Sequence, residues 1–289
     1  MRKLAAVAIV WMAASVASLA QQRYPYCQII DGGEAPAWRA QFGYTASADV
    51  DAPEGSDVAL WSVNGGGGLY YWRTGFGDLD LTGLYDLWLL DGSGGIDLPD
   101  QLAALRLQAS MLSRNWNGGA LQVSVYPGLY SDVQDVSLED VFLPFQVLGI
   151  QAFNPQISGV MGVMIYPGFD RTFDPRFGIR AAPADTVRVD LMYPESRVTF
   201  RPDNTWEIFG GLRHSAVNEF RLEEDDPRRQ FSFSETHLYA GFAMPLEAGV
   251  RISAELGYAL NREVDFERVE PARDLDEAWL IRVGIGSEL

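Results

Sequence analysis

The side chains that could carry acid–base chemistry lie together in the C-terminal third of the chain. Glu235 and His237 are two positions apart, so an extended strand would place this carboxylate and this imidazole on one face. A hydrolase would also need a nucleophilic serine beside the histidine, and Ser215 and Ser253 are the candidates. Neither serine lies in a nucleophile motif, so the sequence favours a protein that is not an enzyme.

Three further segments contain the residue types of a ligand site without the required spacing. Segment 91–97 (DGSGGID) resembles a calcium loop, but Leu102 stands where an EF-hand needs a bidentate glutamate, which leaves a flexible acidic loop or a looser cation site. The acidic run 223–226 is typical of a solvated loop tip, with divalent cations bridging it to lipopolysaccharide phosphates as the alternative. The glycines 65–68 are followed by no Lys-Ser/Thr pair, so they predict a bend or bulge rather than a phosphate loop.

The cysteine and histidine content limits the cofactor chemistry that the chain can support. One cysteine, Cys27, excludes an internal disulfide framework and a cysteine-based zinc site. Two histidines exclude a histidine-rich metal centre. We therefore expect no metal and no cofactor.

Residues 1–20 have the organisation of a secretory signal peptide. A cationic head precedes an apolar stretch from Leu4 to Val16, and small residues precede a cleavage site expected after Ala20. Cleavage there would leave 269 of the 289 residues, with 20 arginines against 39 carboxylates and a formal net charge of −19. A chain this acidic repels polyphosphates, so we do not expect nucleic acid as a partner.

Alternation of apolar and polar residues with a period of two dominates the chain from about Trp38 onward. In 249–261, Ile252, Ala254 and Leu256 fall on one face, whereas Arg251 and Glu255 fall on the other. This period predicts β-strands, because an amphipathic helix would repeat its apolar residues every three to four positions. The same alternation occurs in 78–90, 102–114, 119–127 and 186–193.

The lengths of these segments and of the links between them favour a transmembrane β-barrel. Several segments run for 11–14 residues, close to the ~9–11 residues that a tilted transmembrane strand requires. Short periplasmic turns alternating with long outer loops are typical of such barrels. Short links are predicted at 74–77, 115–118, 154–155, 183–185, 202–204 and 245–247, and long links at 50–56, 91–101, 130–142, 167–174, 217–229 and 262–275, with one exception at 193–195.

The predicted architecture is therefore all-β: one antiparallel barrel of 12–14 strands over 38–289, preceded by a periplasmic tail over 21–37. A secreted β-sandwich is the alternative, because it also pairs an apolar face with a polar one. The last strand agrees with the barrel, since Trp279, Ile281, Val283 and Ile285 share one phase with the final Leu289. Leu289 stands where barrel-assembly machinery commonly reads an aromatic residue.

Three stretches of the C-terminal part carry a resemblance: VRVDLMYPESRVTFRPDNTWEIFGGL (187–212), GYALNREVDF (257–266) and DEAWLIRVGI (276–285). They resemble an uncharacterised family of predicted bacterial outer-membrane β-barrel proteins. The resemblance covers roughly the last two-thirds of the chain. It implies the fold and the bacterial outer membrane as the location, and it brings no catalytic motif.

Charged residues on the predicted inner face of the last strands form the candidate functional site. One interpretation is a lining that selects or orients a solute; the other is an ion-paired filling, because charges inside a barrel must be hydrated or paired. We expect a passive pore or uptake channel for a small solute, with a closed structural barrel and an outer-membrane enzyme as the alternatives. Lipid, lipopolysaccharide and barrel-assembly machinery are the expected partners. The candidate residues are Glu207, Arg213, Glu235, His237, Arg251, Glu255 and Arg282.

Overall fold

The computed structural model describes residues 38–49, 57–93, 98–116, 119–134, 136–169, 172–203, 205–215, 219–222, 230–246, 249–266 and 272–287. Strands dominate these ranges, and in them no helix is long and apolar enough to cross a lipid bilayer. The predicted signal peptide, the tail 21–37, the acidic run 223–226 and Leu289 lie outside the described residues.

The described residues form 18 strands in one sheet. The strands are β1 (Trp38–Asp49), β2 (Asp57–Arg73), β3 (Asp78–Ser93), β4 (Gln101–Trp116), β5 (Gly119–Val125), β6 (Gly128–Ser131), β7 (Val141–Phe142), β8 (Phe145–Asn154), β9 (Ile157–Ile165), β10 (Phe173–Ala184), β11 (Val187–Tyr193), β12 (Glu195–Phe200), β13 (Glu207–Ser215), β14 (Glu219–Arg221), β15 (Gln230–Pro245), β16 (Val250–Phe266), β17 (Arg273–Leu275) and β18 (Ala278–Ser287).

The sheet closes on itself as an antiparallel barrel, which confirms the predicted fold class. Trp38 pairs with Ser287 and Thr45 with Leu280, so the first strand joins the last. Fourteen of the described strands form the wall, the upper value of the predicted range. In order around the wall they are β1, β2, β3, β4, β5, β8, β9, β10, β11, β12, β13, β15, β16 and β18.

The period-two pattern separates an apolar exterior from a polar interior. Leu256 of β16 lies opposite Ile281 of β18, and these side chains are 57% and 49% exposed on the outside. Next to them in sequence, Glu255 pairs with Arg282 on the inside. The strands alternate because each successive residue points to the opposite side of the wall.

Short links gather at one end of the barrel, here called the turn end, and long links at the other, the loop end. Links such as 155–156 and 185–186 are tight, as predicted. Four short strands that were not predicted lie in or beside the long links: β6, β7, β14 and β17. The predicted link 262–275 was too long, since β16 continues to Phe266.

The glycine run in β2 coincides with an irregularity, as the sequence indicated. The register of β2 against β3 shifts between Gly68 and Tyr70, which is a β-bulge. Gly66 allows close backbone contact there, because a Cβ atom at this position would lie 2.5 Å from the carbonyl oxygen of Gly83. A second irregularity lies where β16 passes Asn261, whose φ is +47°.

Candidate functional site

Apolar side chains fill the interior at the loop end and form what we call the cap. The cap combines the loop-end residues of wall strands with residues of the long links, and Phe231 and Val264 are almost fully buried in it. Its buried members are Val58, Leu60, Leu90, Leu102, Ala104, Tyr130, Phe142, Met164, Tyr166, Phe169, Phe220, Leu222, Phe231, Phe233, Val264, Phe266 and Leu275.

Backbone pairing carries the cap across the mouth of the barrel. Short strand β6 pairs with β4, and β14 pairs with β15. These two short strands meet in parallel where Arg221 lies beside Ser131, and the amide of Asp132 donates to the carbonyl of Arg221 at 3.1 Å. In the order of the described wall strands, β4 and β15 are six steps apart, nearly opposite each other. The two long links therefore bridge the mouth.

Aromatic contacts hold the cap together and face the space beneath it. Tyr130 packs edge-on against Phe142 and Phe169, with ring centroids 5.8 and 5.4 Å apart, in the geometry that ring quadrupoles favour. Trp88 packs edge-on against Phe220 at 5.3 Å and lines the cavity below. Burial raises the pKa of the loop residue Tyr166, so this phenol stays neutral in the cap.

A cavity of about 860 Å³ lies beneath the cap, and we call it the chamber. It extends from Trp88 under the cap to Arg201 and Gly286, which lie where β12 and β18 end at the turn end. Neutral polar side chains on β1, β2, β5 and β8 form part of its lining: Gln41, Ser62, Asn64, Gln122 and Gln146. A volume of this size matches the range of small-molecule pockets, ~300–1,000 Å³.

All seven charged residues singled out in the sequence line the chamber: Glu207, Arg213, Glu235, His237, Arg251, Glu255 and Arg282. Arg213 and Arg282 both approach Glu255, each at 3.7 Å. Arg251 contacts Glu207 at 2.5 Å. The residues are therefore brought together as pairs on the inside, and their role in selecting a solute stays a prediction.

His237 serves as a link in this charge network. Its Nε2 atom contacts Glu235, and an Arg282 guanidinium N–H donates to its Nδ1 atom at 2.9 Å. Of the two candidate nucleophiles, Ser215 on β13 pairs with Glu235 of β15, and Ser253 lies on β16. Because charged side chains engage both ring nitrogens, the imidazole is not arranged as the base of a serine hydrolase.

Five arginines outside the predicted set form a second part of the lining, which we call the arginine wall. They lie on or next to β10, β11 and β12: Arg176, Arg180, Arg188, Arg197 and Arg201. Arg188 contacts Asp190 at 2.9 Å, and Arg197 stacks over the Phe209 ring at 3.8 Å from its centroid. The signal was present in the sequence, because each strand's arginines share one phase of the alternation.

The guanidinium groups of the arginine wall stand nearer the open chamber than most of their carboxylate partners. Arg201 is 33% exposed in its side chain, whereas its partner Glu207 is 6% exposed. Arg176 is 24% exposed and its partner Asp174 is fully buried. Glu195 is 43% exposed, but its partner Arg213 lies outside the arginine wall. The accessible face of the wall is therefore mainly cationic.

In the part of the chain that the structure describes, no group of three or more His, Cys, Asp or Glu side chains is arranged to hold a metal ion. Of the acidic loop 91–97, residues 94–97 are not described.

Comparisons with known proteins give likeness of fold at low sequence identity. No protein-family model matches the sequence, and no curated protein matches it, so the family resemblance stays a prediction. The KdgM porin is similar with a TM-score of 0.36 and 8% identity, covering 87% of this chain and 99% of that one. An outer membrane channel from Pseudomonas putida F1 has a TM-score of 0.46 and 14% identity, covering 86% and 95%. The outer membrane protease OmpT from Escherichia coli has a TM-score of 0.23 and 10% identity, covering 88% and 94%. Likeness at this level gives no information about activity or substrate.

Proposed function

We propose that this chain is a bacterial outer-membrane channel that admits small solutes to the chamber. The observation that carries the proposal is a polar cavity of about 860 Å³ enclosed by a barrel whose outer face is apolar. An apolar exterior such as Leu256 and Ile281 needs lipid around it, and a closed barrel satisfies its backbone hydrogen bonds in lipid. Lipopolysaccharide and barrel-assembly machinery are the partners that this location implies.

The turn end would face the periplasm and the loop end the outside. Short turns on the periplasmic side and long outer loops are the usual arrangement of outer-membrane barrels. Solute would then pass the cap on the outer side and meet the chamber on the way to the periplasm. The cap is the narrow part of this route.

A closed structural barrel is the second candidate, and the cap favours it. The pairing of β6 with β14 places buried aromatic side chains across the mouth. If the cap stays shut, the chamber opens only toward the turn end. The charged interior would then serve to fill the barrel with ion pairs.

Planar-bilayer conductance of the refolded protein separates the two candidates. Val125 and Phe145 are cross-strand partners, so an Asn-Gly turn can replace residues 126–144 and remove β6 and β7. We expect measurable conductance from the parent chain and a larger conductance from this cap-deleted variant. If neither protein conducts ions although each is shown to be folded, the result would support the structural barrel.

A further inference from the structure

The chamber differs in charge from the rest of the protein. Among the described residues, its lining contains ten arginines and six carboxylates, a surplus of four positive charges with histidine neutral, whereas the whole chain carries −17. The ten are the eight arginines named above together with Arg39 and Arg106. Charges of one sign in a cleft with low-dielectric walls concentrate solutes of the opposite sign. The chamber therefore favours anions, although the protein as a whole is acidic.

Contacts inside the chamber show how its arginines bind a carboxylate. Arg197 and Arg201 each donate to Glu207 at 2.9 Å, and Arg251 contacts the same group at 2.5 Å. Guanidinium groups match carboxylates in geometry and form charge-assisted hydrogen bonds with them. A carboxylate on a solute would meet the same chemistry at the more exposed faces of these arginines.

The arginines are spaced for more than one anionic group. Arg180 and Arg197 flank Asp190 in one cross-strand row, which puts their backbones about 10 Å apart. Arg176 and Arg180 are four residues apart on β10, roughly 13 Å along the strand. A single small anion occupies only one such position.

An apolar stretch of lining adjoins the arginine wall. Ile150 pairs with Val160, and Val160 pairs with Gly178, which lies between Arg176 and Arg180 on the inner face of β10. Because Gly178 has no side chain, the Val160 side chain adjoins the arginines without an intervening group. Leu148 and Met192 pack against this apolar patch. A carbon skeleton fits the patch better than a mineral anion does.

We propose that the arginine wall and the apolar patch form a binding site for an organic anion, a solute whose carbon frame bears two or more carboxylates. The proposal deepens the channel function, because the solute must reach the chamber. Binding and conduction are separate measurements, so the site and the channel can fail independently.

Equilibrium dialysis with biphenyl-4,4′-dicarboxylate tests the site on the folded protein in detergent. The double variant R180Q/R197Q removes two wall charges, while Asp190 keeps Arg188 and Glu207 keeps Arg201 and Arg251. The matched control is R73Q, which removes one arginine beside the β2–β3 turn, outside the chamber lining. We expect saturable binding that weakens at least about tenfold in R180Q/R197Q, because two charge-assisted contacts are lost, and stays unchanged in R73Q.

Two further dialysis measurements use the same protein, one with biphenyl-4-carboxylate and one with inorganic phosphate. We expect the monocarboxylate to bind more weakly than the dicarboxylate, and phosphate to compete poorly. Equal affinity of R180Q/R197Q and the parent would overturn the site, and so would phosphate that competes as strongly as the dicarboxylate. A barrel that binds the dicarboxylate but passes no current would leave the site standing and overturn the channel.

Discussion

The two halves of the barrel interior are built from opposite chemistry. At the loop end, Phe231, Phe233 and their neighbours are packed and buried, with Phe231 fully so. Toward the turn end, charged and amide side chains line a cavity of about 860 Å³. The same strands contribute to both, because β15 carries Phe231 near one end and Glu235 and His237 further along. A single barrel can thus hold a sealing layer and a polar compartment by changing which residues occupy one inner face.

The largest expected effect comes from opening the packed half. Phe231→Ala removes a fully buried ring that packs edge-on against Phe266 at 5.2 Å, so we expect the free energy of unfolding to fall by about 3–5 kcal/mol. Urea unfolding of the refolded barrel measures this. The matched change Phe242→Ala, on the outer face of the same strand and 48% exposed, should cost clearly less. Equal losses would mean that the cap is not packed as a core.

The next largest effect comes from neighbouring residues of β16, one of which faces lipid while the other faces the chamber. Ala254→Arg on β16 puts a charge into hydrocarbon and should cost about 2–4 kcal/mol near the bilayer midplane. Ser253→Arg points the same side chain into the chamber and should be milder, because Ser253 lines that cavity. The folded fraction is read from the heat-modifiable band after electrophoresis. Equal tolerance of both changes would show that neither face meets lipid.

Within the charged half, the buried carboxylates should contribute more to stability than the more exposed arginines of the wall. Glu255 is 4% exposed and approaches both Arg213 and Arg282. We expect Glu255→Ala to cost about 1–3 kcal/mol in unfolding free energy, because it leaves two guanidinium groups without that counter-charge. Arg188→Gln at the accessible front should cost under about 1 kcal/mol. The reverse order, measured by urea unfolding, would show that the arginine wall is structural.

The orientation of the two halves can be tested by labelling peptide tags on cells. A peptide tag inserted at Asp226, in the link between β14 and β15, should be labelled on intact cells. A tag at Asp203, in the short link between β12 and β13, should be labelled only after the outer membrane is opened. Surface labelling at Asp203 would place the cap on the periplasmic side.

The outer face of the barrel was predictable from the sequence, because lipid-facing and inner positions alternate regardless of what fills the interior. Ile252, Ala254 and Leu256 follow that rule, and the short links at 155–156 and 185–186 end the strands as their turn residues indicate. The cap was not predicted, because it depends on contacts between links far apart in sequence. A signal existed in β3, where Trp88 and Leu90 place two consecutive apolar side chains at the loop end of a mainly polar inner face.

The candidate site was predicted only in part, because alternation within a strand is visible in the sequence whereas the pairing of strands is not. The last strands alternate cleanly, so Arg251, Glu255 and Arg282 were assigned to the interior from sequence. On β10, Arg176 and Arg180 share one phase of the alternation, but only the pairing register places them beside the arginines of β11 and β12. The surplus of positive charge follows from that register and not from the net charge of the chain.

The reversal potential of the refolded protein in a planar bilayer under a KCl gradient tests the account most directly. The ten arginines and six carboxylates among the described lining residues predict a preference for chloride over potassium. R180Q/R197Q should reduce that preference, while R73Q leaves it unchanged. Preference for potassium in the parent protein would contradict the account, because the arginines of the chamber would then not set the ion preference.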